Sequence, residues 1–259
     1  MDFPIKSKPV ALPSEGFFYP EGHPLSKGTI EIRHMTAADE DILTDRQLLK
    51  KGEAIDRVIE SVIVEEGVEF SEILNGDVGG IMIAVRIMAY GKEYPFEFTC
   101  PACGAKTENV ADLTEIQEKS VDFDKYERHQ QLFSVDLPLS ETNVEFSLLT
   151  RGEVQKINKE VSNVKQFQRK GNRTSSNQTS ANMTTRLRHL IQSVNGETGP
   201  ATIRKFVQQM PARDSLALRK AVSEVSPDIE LETLFECEAC GHQEFIDIPL
   251  DDTFFFPTR

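Results

Sequence analysis

All four cysteines of this chain lie in two short stretches that are similar in sequence. The first stretch is Phe98-Thr99-Cys100-Pro101-Ala102-Cys103-Gly104, and the second is Phe235-Glu236-Cys237-Glu238-Ala239-Cys240-Gly241. Two cysteines that flank two residues and precede a glycine are typical of a zinc knuckle, because the glycine permits the tight turn that carries both sulfurs. Two knuckles supply the four thiolates of a closed, structural Zn²⁺ site. The predicted ligands are Cys100, Cys103, Cys237 and Cys240.

The two cysteine pairs are unusually far apart in the sequence for a single metal site. Between Cys103 and Cys237 there are 133 residues, whereas a compact zinc ribbon has about 15–20. An ion bound by both pairs would therefore hold together two parts of the chain that are distant in sequence. His242, two residues after Cys240, is an alternative ligand or a group that contacts a ligand.

A redox function is the enzymatic alternative for the first cysteine pair. In a thioredoxin-like site the first cysteine lies at the N-terminus of a helix, whose dipole lowers the pKa of the thiol. Here residues 104–110 predict a turn and a returning strand, and a second pair occurs in the same setting, which favours metal binding. The sequence contains no G-x-S-x-G, H-E-x-x-H or Gly-Lys-Ser/Thr phosphate loop, and its five histidines are scattered. We therefore expect no enzymatic activity.

The composition favours an acidic intracellular protein that neither spans a membrane nor binds nucleic acid in general. The 259 residues include 42 acidic and 29 basic ones, and the formal charge of −13 should repel a phosphate backbone. The longest apolar run, residues 78–90, is interrupted by Arg86 and is too short to span a bilayer. Met1-Asp2-Phe3-Pro4 lacks the features of a signal peptide. We therefore expect thiolates in a reducing cytoplasm rather than disulfides.

The order of the predicted elements indicates an α+β fold made of two pseudo-repeated halves. Residues 30–39 align with residues 144–153, and both segments predict a strand that leads into a capped helix. Further helices and a strand that enters a knuckle follow in each half, and the offset grows from 114 residues at the first strand to 137 at the cysteines. The corresponding helical segments are 56–64 with 185–193 and 78–89 with 214–225. Two such halves would be joined at one zinc-ribbon-like, four-cysteine site.

These patterns divide the chain into an arm and two repeats. Residues 1–28 contain five prolines, which predict an extended arm. The first repeat is 29–120 with the first knuckle, and the second repeat is 121–259 with the second knuckle. Within the second repeat, residues 165–183 are polar and basic and predict a flexible loop. The basic residues of 165–190 are interpreted as solvated, with contact to an acidic protein surface or to nucleic acid as the alternative.

Two aromatic clusters have no local apolar partners in the sequence. One lies in the arm, and the other lies at the C-terminal end. Each has two interpretations, since its rings either pack in the chain's own core or serve as anchors that contact a partner protein. For the C-terminal cluster the core interpretation places the rings between the two halves. The candidate partner contacts are Phe17, Phe18, Tyr19, Phe254, Phe255 and Phe256.

The first 100 residues resemble a known protein family. The resemblance is carried by Leu12-Pro13-Ser14-Glu15-Gly16-Phe17-Phe18-Tyr19-Pro20, by Gly28-Thr29-Ile30-Glu31-Ile32-Arg33, and by Met35-Thr36-Ala37-Ala38-Asp39-Glu40-Asp41-Ile42-Leu43-Thr44. Leu48-Leu49-Lys50-Lys51-Gly52 and Ala54-Ile55-Asp56 continue it. These runs are similar to those of the baseplate hub and hub-assembly proteins of T4-like contractile-tailed bacteriophages. The resemblance implies a non-enzymatic protein that helps to build the baseplate hub, as a subunit or as an assembly factor.

The same resemblance implies where the protein acts and with what. Its partners would be other phage tail and baseplate proteins, and it would act in the host cytoplasm during assembly and in the tail baseplate of the virion. Two other functions are compatible with the cysteines alone. A zinc-ribbon adaptor of the host transcription machinery predicts stable association with polymerase, whereas a thiol-redox enzyme predicts reductase activity without bound metal.

Overall fold

A computed structural model describes residues 5–170, 178–248 and 254–255 and confirms the α+β class, with helices packed against small antiparallel sheets. Within these ranges the strands are β1 Ser7–Ala11, β2 Thr29–Arg33, β3 Glu93–Thr99, β4 Lys106–Asp112, β5 Gln117–Glu118, β6 Phe133–Asp136, β7 Asn143–Phe146, β8 Ile191–Val194, β9 Ile229–Glu230, β10 Glu232–Glu236 and β11 Gln243–Asp247. The helices are α1 Ala37–Thr44, α2 Arg46–Lys51, α3 Ala54–Val62, α4 Asn75–Tyr90, α5 Arg151–Lys170, α6 Gln178–Leu190, α7 Pro200–Gln209 and α8 Ala212–Val225. The sheets pair β1 with β2, β3 with β4, β5 with β9 and β10 with β11, and β6, β7 and β8 form a three-stranded sheet.

The predicted strand and capped helix of the first half are β2 and α1. The Thr36 N–H donates to Asp39 Oδ2 at 2.7 Å, which is half of the capping box. Arg33, at the end of β2, donates to both carboxylate oxygens of Asp39 at 2.7 and 2.9 Å, and Ser61 Oγ on α3 donates at 2.7 Å. Burial tends to raise the pKa of Asp39, but these donors hold it well below its usual range. The helix cap therefore also joins β2, α1 and α3.

The sequence of residues 48–52 predicts a connector, but the structure has a short helix, α2, at this place. It begins because the Asp45 side chain accepts hydrogen bonds from the Gln47 and Leu48 N–H groups at 2.6 and 3.2 Å. It ends at Gly52, which has a left-handed φ of 68°. Both caps are visible in the sequence, but six residues are too few to show a helical apolar period.

The sequence Asn75-Gly76-Asp77 predicts a break in the chain, but these residues form the first turn of α4. A Cβ at Gly76 would come within 1.8 Å of the Pro227 carbonyl oxygen, so this glycine lets a segment of the second half touch the helix. Asp77 is completely buried, and its carboxylate accepts from Ser14 N, Ser14 Oγ and Tyr19 Oη at 2.8, 2.7 and 2.7 Å. These three bonds attach the N-terminal arm to α4.

The aromatic residues of the arm pack inside the protein. Phe18 and Tyr19 are 3% and 2% exposed. Phe17 is half-buried, and the Arg128 guanidinium lies 5.7 Å from the centre of its ring. The ring of Phe18 meets that of Phe133 edge to face, with centroids 5.3 Å apart. In the folded chain these rings therefore form part of the core, and Phe18 and Tyr19 have no outward surface for the partner contact that the sequence suggested.

Phe254 and Phe255 are also buried, at 1% and 2% exposure. The ring of Phe254 meets that of Tyr94 edge to face, with centroids 5.2 Å apart. Burial leaves neither ring available as a surface anchor. Phe256, the third member of the predicted cluster, lies outside the described residues.

Arg86, the residue that interrupts the apolar run, anchors the C-terminal segment to α4. Its Nε donates to the Phe254 carbonyl at 2.6 Å, and its other nitrogens donate to the carbonyls of Gly91 and Glu93 at 3.0 and 3.3 Å. Burial lowers the pKa of Arg86, but guanidinium stays charged in proteins. The charge of Arg86 is therefore stabilised by three carbonyl acceptors and by the Tyr90 ring, whose centre lies 5.2 Å from Cζ of Arg86. These groups replace the water that would solvate the guanidinium in the unfolded chain.

The second half begins with the hairpin of β6 and β7. α5 starts with a reciprocal cap, as predicted, since Thr150 N donates to Glu153 Oε2 at 2.8 Å and Glu153 N donates to Thr150 Oγ1 at 3.4 Å. Asp214, the third residue of α8, accepts from the N–H groups of Leu139 and Ser140 at 2.8 and 2.9 Å. This carboxylate attaches the β6–β7 turn to α8.

The segment 165–183, predicted to be a flexible loop, is helical at both ends. Residues 165–170 belong to α5, and residues 178–183 belong to α6. Residues 171–177 lie outside the described part of the chain. Lys, Gln and Arg have high helix propensity, so a polar composition does not exclude a helix.

The two halves share one continuous core of buried apolar residues. A polar contact adds to this joint, where Arg151 Nε, at the start of α5, donates to both carboxylate oxygens of Asp56 on α3 at 3.0 and 3.1 Å. Gln155 Nε2 also donates to Asp56, at 2.9 Å. Within the described residues, no helix combines the length and the apolar character needed to cross a lipid bilayer.

Candidate metal centre

The two knuckles lie at the turns of two similar β-hairpins. β3 and β4 flank the first knuckle, and their last pair of facing residues is Thr99 and Lys106. β10 and β11 flank the second knuckle, and their last pair is Glu236 and Gln243. The two pairs are 137 positions apart, as the cysteines are. Each hairpin thus presents its cysteines from the same place in its register.

The backbone of the two turns is also the same. In the first knuckle, Gly104 N donates to the Cys100 carbonyl and Cys100 N donates to the Ala105 carbonyl, both at 2.9 Å. The second knuckle makes the equivalent two bonds at 2.8 and 2.9 Å. Gly104 and Gly241 have φ angles of 73° and 71°, in the left-handed region where a side chain is strained. The glycine after each cysteine pair therefore has the role that the sequence predicted.

The structure brings the four predicted ligands together at one point. The Sγ atoms of Cys100, Cys103, Cys237 and Cys240 all lie within 4.8 Å of one another. Sγ of Cys100 is 3.8 Å from Sγ of Cys240, and Sγ of Cys103 is 3.7 Å from Sγ of Cys237. A tetrahedral site with Zn–S bonds of about 2.3 Å has S–S edges of about 3.8 Å. Both distances match such an edge and are far longer than a disulfide bond of about 2.05 Å.

The cluster has a buried side and an exposed side. In each knuckle the first cysteine is 1% exposed, whereas the second cysteine is open to solvent. Phe98 and Phe235, each two residues before the first cysteine of its knuckle, meet edge to face with centroids 4.7 Å apart. Thr107 Oγ1 lies 3.9 Å from Sγ of Cys237. In the sequence, a phenylalanine at the same place in both knuckles is the only indication of this ring pair. The residues around each phenylalanine do not indicate that the two rings touch.

The electrostatics of the cluster favour a bound cation. Burial raises the pKa of Cys237, but the N–H groups of Cys240 and Ala239 bring it down to about 6. The His242 N–H lowers the pKa of Cys240, but the other sulfurs and burial raise it to about 12. The Cys237 thiolate is therefore favoured and the Cys240 thiolate is disfavoured, because like charges repel at these distances. A cation at the centre of the cluster would remove that repulsion and hold all four sulfurs as thiolates.

The geometry gives less support to a redox-active cysteine pair and to His242 as a metal ligand. Neither cysteine pair begins a helix, since Cys103 is followed by β4 and Cys240 by β11. The side chain of His242 is not among the groups that converge on the cluster. Its Nε2 lies 3.6 Å from Glu244 Oε2, and its backbone carbonyl, rather than its ring, takes part in the knuckle.

Replacement of Gly104 or Gly241 by alanine should lower the free energy of unfolding by about 1–2 kcal/mol. An added Cβ would meet no atom within 4 Å at either site, so the effect comes from the left-handed backbone alone. Urea unfolding of the metal-loaded protein measures it. Gly199→Ala is the control, because Gly199 has a φ of −65° and its nearest neighbour to a new Cβ is 3.6 Å away. An equal loss at Gly199 would contradict the backbone explanation.

Comparison with known proteins identifies a relationship over most of the chain. A family model described as "T4 bacteriophage base plate protein" matches residues 19–255. The matched range contains both hairpins and all four cysteines. Neither a search of curated proteins nor a search of solved structures gave a significant match.

Proposed function

The chain belongs to the T4 bacteriophage base plate protein family, and on that premise we propose that it is a structural or assembly protein of the baseplate hub. The observation that carries this proposal is the family match over residues 19–255, which spans both halves. Membership supports a role at the virion tail, with other phage proteins as partners. We place its action in the host cytoplasm, where tails assemble, and give it no enzymatic step.

We assign Zn²⁺ to the four-cysteine cluster. Four thiolate ligands in tetrahedral arrangement select zinc or an iron–sulfur centre among the common metals. The two S–S distances of 3.7 and 3.8 Å agree with one ion surrounded by four sulfurs at about 2.3 Å each. Cys100 and Cys103 would hold it from one hairpin, and Cys237 and Cys240 would hold it from the other. The ion supplies a tetrahedral cross-link and no reaction.

We further propose that the two halves are copies of one structural unit. Support comes from contacts that recur at equivalent places. Ile32 on β2 bridges to Ile63, which follows α3, and Phe146 on β7 pairs with Ile191, which follows α6. In each half a buried aspartate at the third residue of a helix also accepts N–H bonds from a turn that follows a Leu-Pro pair. These aspartates are Asp77 and Asp214, which are 137 positions apart.

This duplication gives the metal a mechanical role. The division between the copies falls at residues 120 and 121, and the arm 1–28 contributes β1 to the first copy. Each copy ends in one knuckle hairpin, so a single ion ties the ends of both copies together. Metal binding then contributes directly to folding, because no preformed site exists in the unfolded chain. A protein held together in this way presents a fixed surface to the other hub proteins.

The test is assembly of the tail in a phage from which the gene for this chain has been deleted. We expect no complete baseplates in electron micrographs of the lysate, and full restoration when the intact protein is supplied from a plasmid. Normal baseplates in the absence of the protein would overturn the proposal. Retention of the protein on host RNA polymerase, with normal tails, would instead support the transcription adaptor.

A further inference from the structure

The two knuckle hairpins differ at one pair of positions in a way that packing inside the chain does not explain. On the first hairpin, Glu97 faces Glu108 across the strands, three residues before the first cysteine. The equivalent pair on the second hairpin, 137 positions later, is Leu234 facing Phe245. One hairpin thus has two carboxylates, as expected for a surface, where the other has two large apolar side chains.

Leu234 and Phe245 are on the outer face of their hairpin. Their side chains are 56% and 72% exposed, and Phe245 is the most exposed large apolar residue in the described part of the chain. The inner face is occupied by Phe235 and Ile246, which are buried. Because successive residues of a strand point to opposite faces, the exposed pair is not needed to hold the hairpin against the core.

Acidic groups surround the apolar pair. On the same outer face, Glu232 faces Asp247 on one side of the pair, and Glu236 faces Gln243 on the other, and all four are exposed. Residues 229–248 contain no lysine or arginine. The surface is therefore an apolar centre with a rim of one sign, the arrangement expected when a partner of the opposite charge covers it.

We propose that the outer face of the β10–β11 hairpin is a docking surface for a basic segment of another baseplate protein. Apolar side chains of that segment would cover Leu234 and Phe245, while its lysines or arginines would face Glu232, Glu236 and Asp247. The proposal rests on the proposed role in baseplate assembly and adds to it the surface and the chemistry of the partner. A second copy of this chain does not fit, because its own hairpin would bring an acidic rim against an acidic rim.

The first experiment places a photo-cross-linking amino acid at position 245 in the full chain during infection, with position 110 as the control. Val110 is 62% exposed on the first knuckle hairpin, outside the proposed surface. We expect an adduct from position 245 to a tail protein, through a peptide that contains lysine or arginine beside apolar residues, and no such adduct from position 110. An adduct to a second copy, to RNA polymerase or to nothing would overturn the proposal.

The second experiment replaces the pair with the residues of the first hairpin, as Leu234→Glu with Phe245→Glu. The first hairpin folds with carboxylates at these positions, so the variant should keep its metal content and melting temperature. Loss of two central apolar contacts should weaken docking about 100-fold or more, and the yield of infectious particles should fall by a similar factor in the complemented deletion phage. Val110→Glu should give the yield of the intact protein.

The outcomes separate this inference from the proposed function. If the deletion phage assembles normal tails, the proposed function fails. If the deletion phage needs the protein but the double variant restores full yield, the docking surface fails and the function stands. If the double variant loses its metal or its folded state, Leu234→Gln with Phe245→Gln, which adds no charge, takes its place and is judged by the same yield.

Discussion

Replacement of Cys103 by serine should lower the stability of the metal-loaded protein by about 4 kcal/mol, although Cys103 is exposed to solvent. A change of one atom at an exposed position normally alters stability by less than about 0.5 kcal/mol. If Cys103 is one of four zinc ligands, its loss should weaken metal binding by about a thousandfold. With metal in excess, the linked stabilisation then falls by about 4 kcal/mol. Urea unfolding with and without added Zn²⁺, together with elemental analysis, measures both quantities.

The choice of an exposed cysteine separates metal binding from packing. Cys100 and Cys237 are buried, so serine at those positions would also place a hydroxyl in the core. Ala102→Ser is the matched control, since it puts the same side chain into the same exposed turn without removing a sulfur. After removal of metal by a chelator, the Cys103→Ser variant and the intact protein should unfold at the same urea concentration. Equal stability of Cys103→Ser and the intact protein in the presence of zinc would contradict the proposed site. If elemental analysis finds iron instead of zinc, the assignment of the metal is wrong.

The four-cysteine cluster shows how much of a site can be predicted from a sequence. The four candidate ligands were predicted from cysteine spacing and glycine position, because these are local features of a tight turn. Convergence of the two knuckles is a long-range contact, and it was predicted only because neither pair alone completes a tetrahedral site. The contact between Phe98 and Phe235 was not predicted, since a sequence does not specify which rings meet in the interior.

Helix caps and alternating strands were predicted with similar success, and for the same reason. The caps at Thr36 and Thr150 and the strand β2 depend on residues a few positions apart. α2 was missed because two turns of helix leave no apolar period, although Asp45 and Gly52 marked both ends. The sequence does not predict the helical ends of the segment 165–183, because their low apolar content gives no helical apolar period.

The polar groups that hold the halves and the arm in place lay beyond prediction. In the sequence, Arg86 is only an interruption of an apolar run, whereas in the folded chain its acceptors include a carbonyl 168 residues away. Asp77 followed an Asn-Gly pair that indicated a break, and its donors lie in the arm. Each of these buried groups is stable only because of distant partners, so its role appears once the chain is folded. The aromatic arm belongs to the same class, since the bond from Tyr19 to Asp77 explains its burial.

Removal of that carboxylate should release the arm. Asp77→Ala leaves the N–H and hydroxyl of Ser14 and the hydroxyl of Tyr19 without their acceptor in a buried place, which we expect to lower the free energy of unfolding by about 3–5 kcal/mol. Ser14→Ala, which removes one of the three bonds, should lower it by about 1 kcal/mol. Limited proteolysis should cut the arm of Asp77→Ala before the rest of the chain, while the metal remains bound to the cysteines.

The pH dependence of stability gives an independent measure of the same group. Burial raises the pKa of Asp77 to about 6, against the partly opposing hydrogen bonds from Tyr19 and Ser14. The folded state therefore binds a proton that the unfolded state has lost between about pH 4 and pH 6. In that window, the contribution of Asp77 to stability decreases as pH rises, by about 3 kcal/mol in total. Asp77→Asn cannot titrate and should lack this contribution.

The comparison is therefore the difference in stability between the intact protein and Asp77→Asn at each pH. Groups common to both proteins, including the four cysteines and the Asp39 cluster, cancel in this difference. As pH rises from 4 to 6, we expect the free energy of unfolding of the intact protein to decrease relative to that of Asp77→Asn. Above pH 7 the difference should be constant. A difference that does not change with pH would mean that Asp77 ionises as freely in the folded chain as in the unfolded one. The hydrogen bonds from Ser14 and Tyr19 would then offset the whole cost of burying the carboxylate, and Asp77→Ala should still cost more than Ser14→Ala.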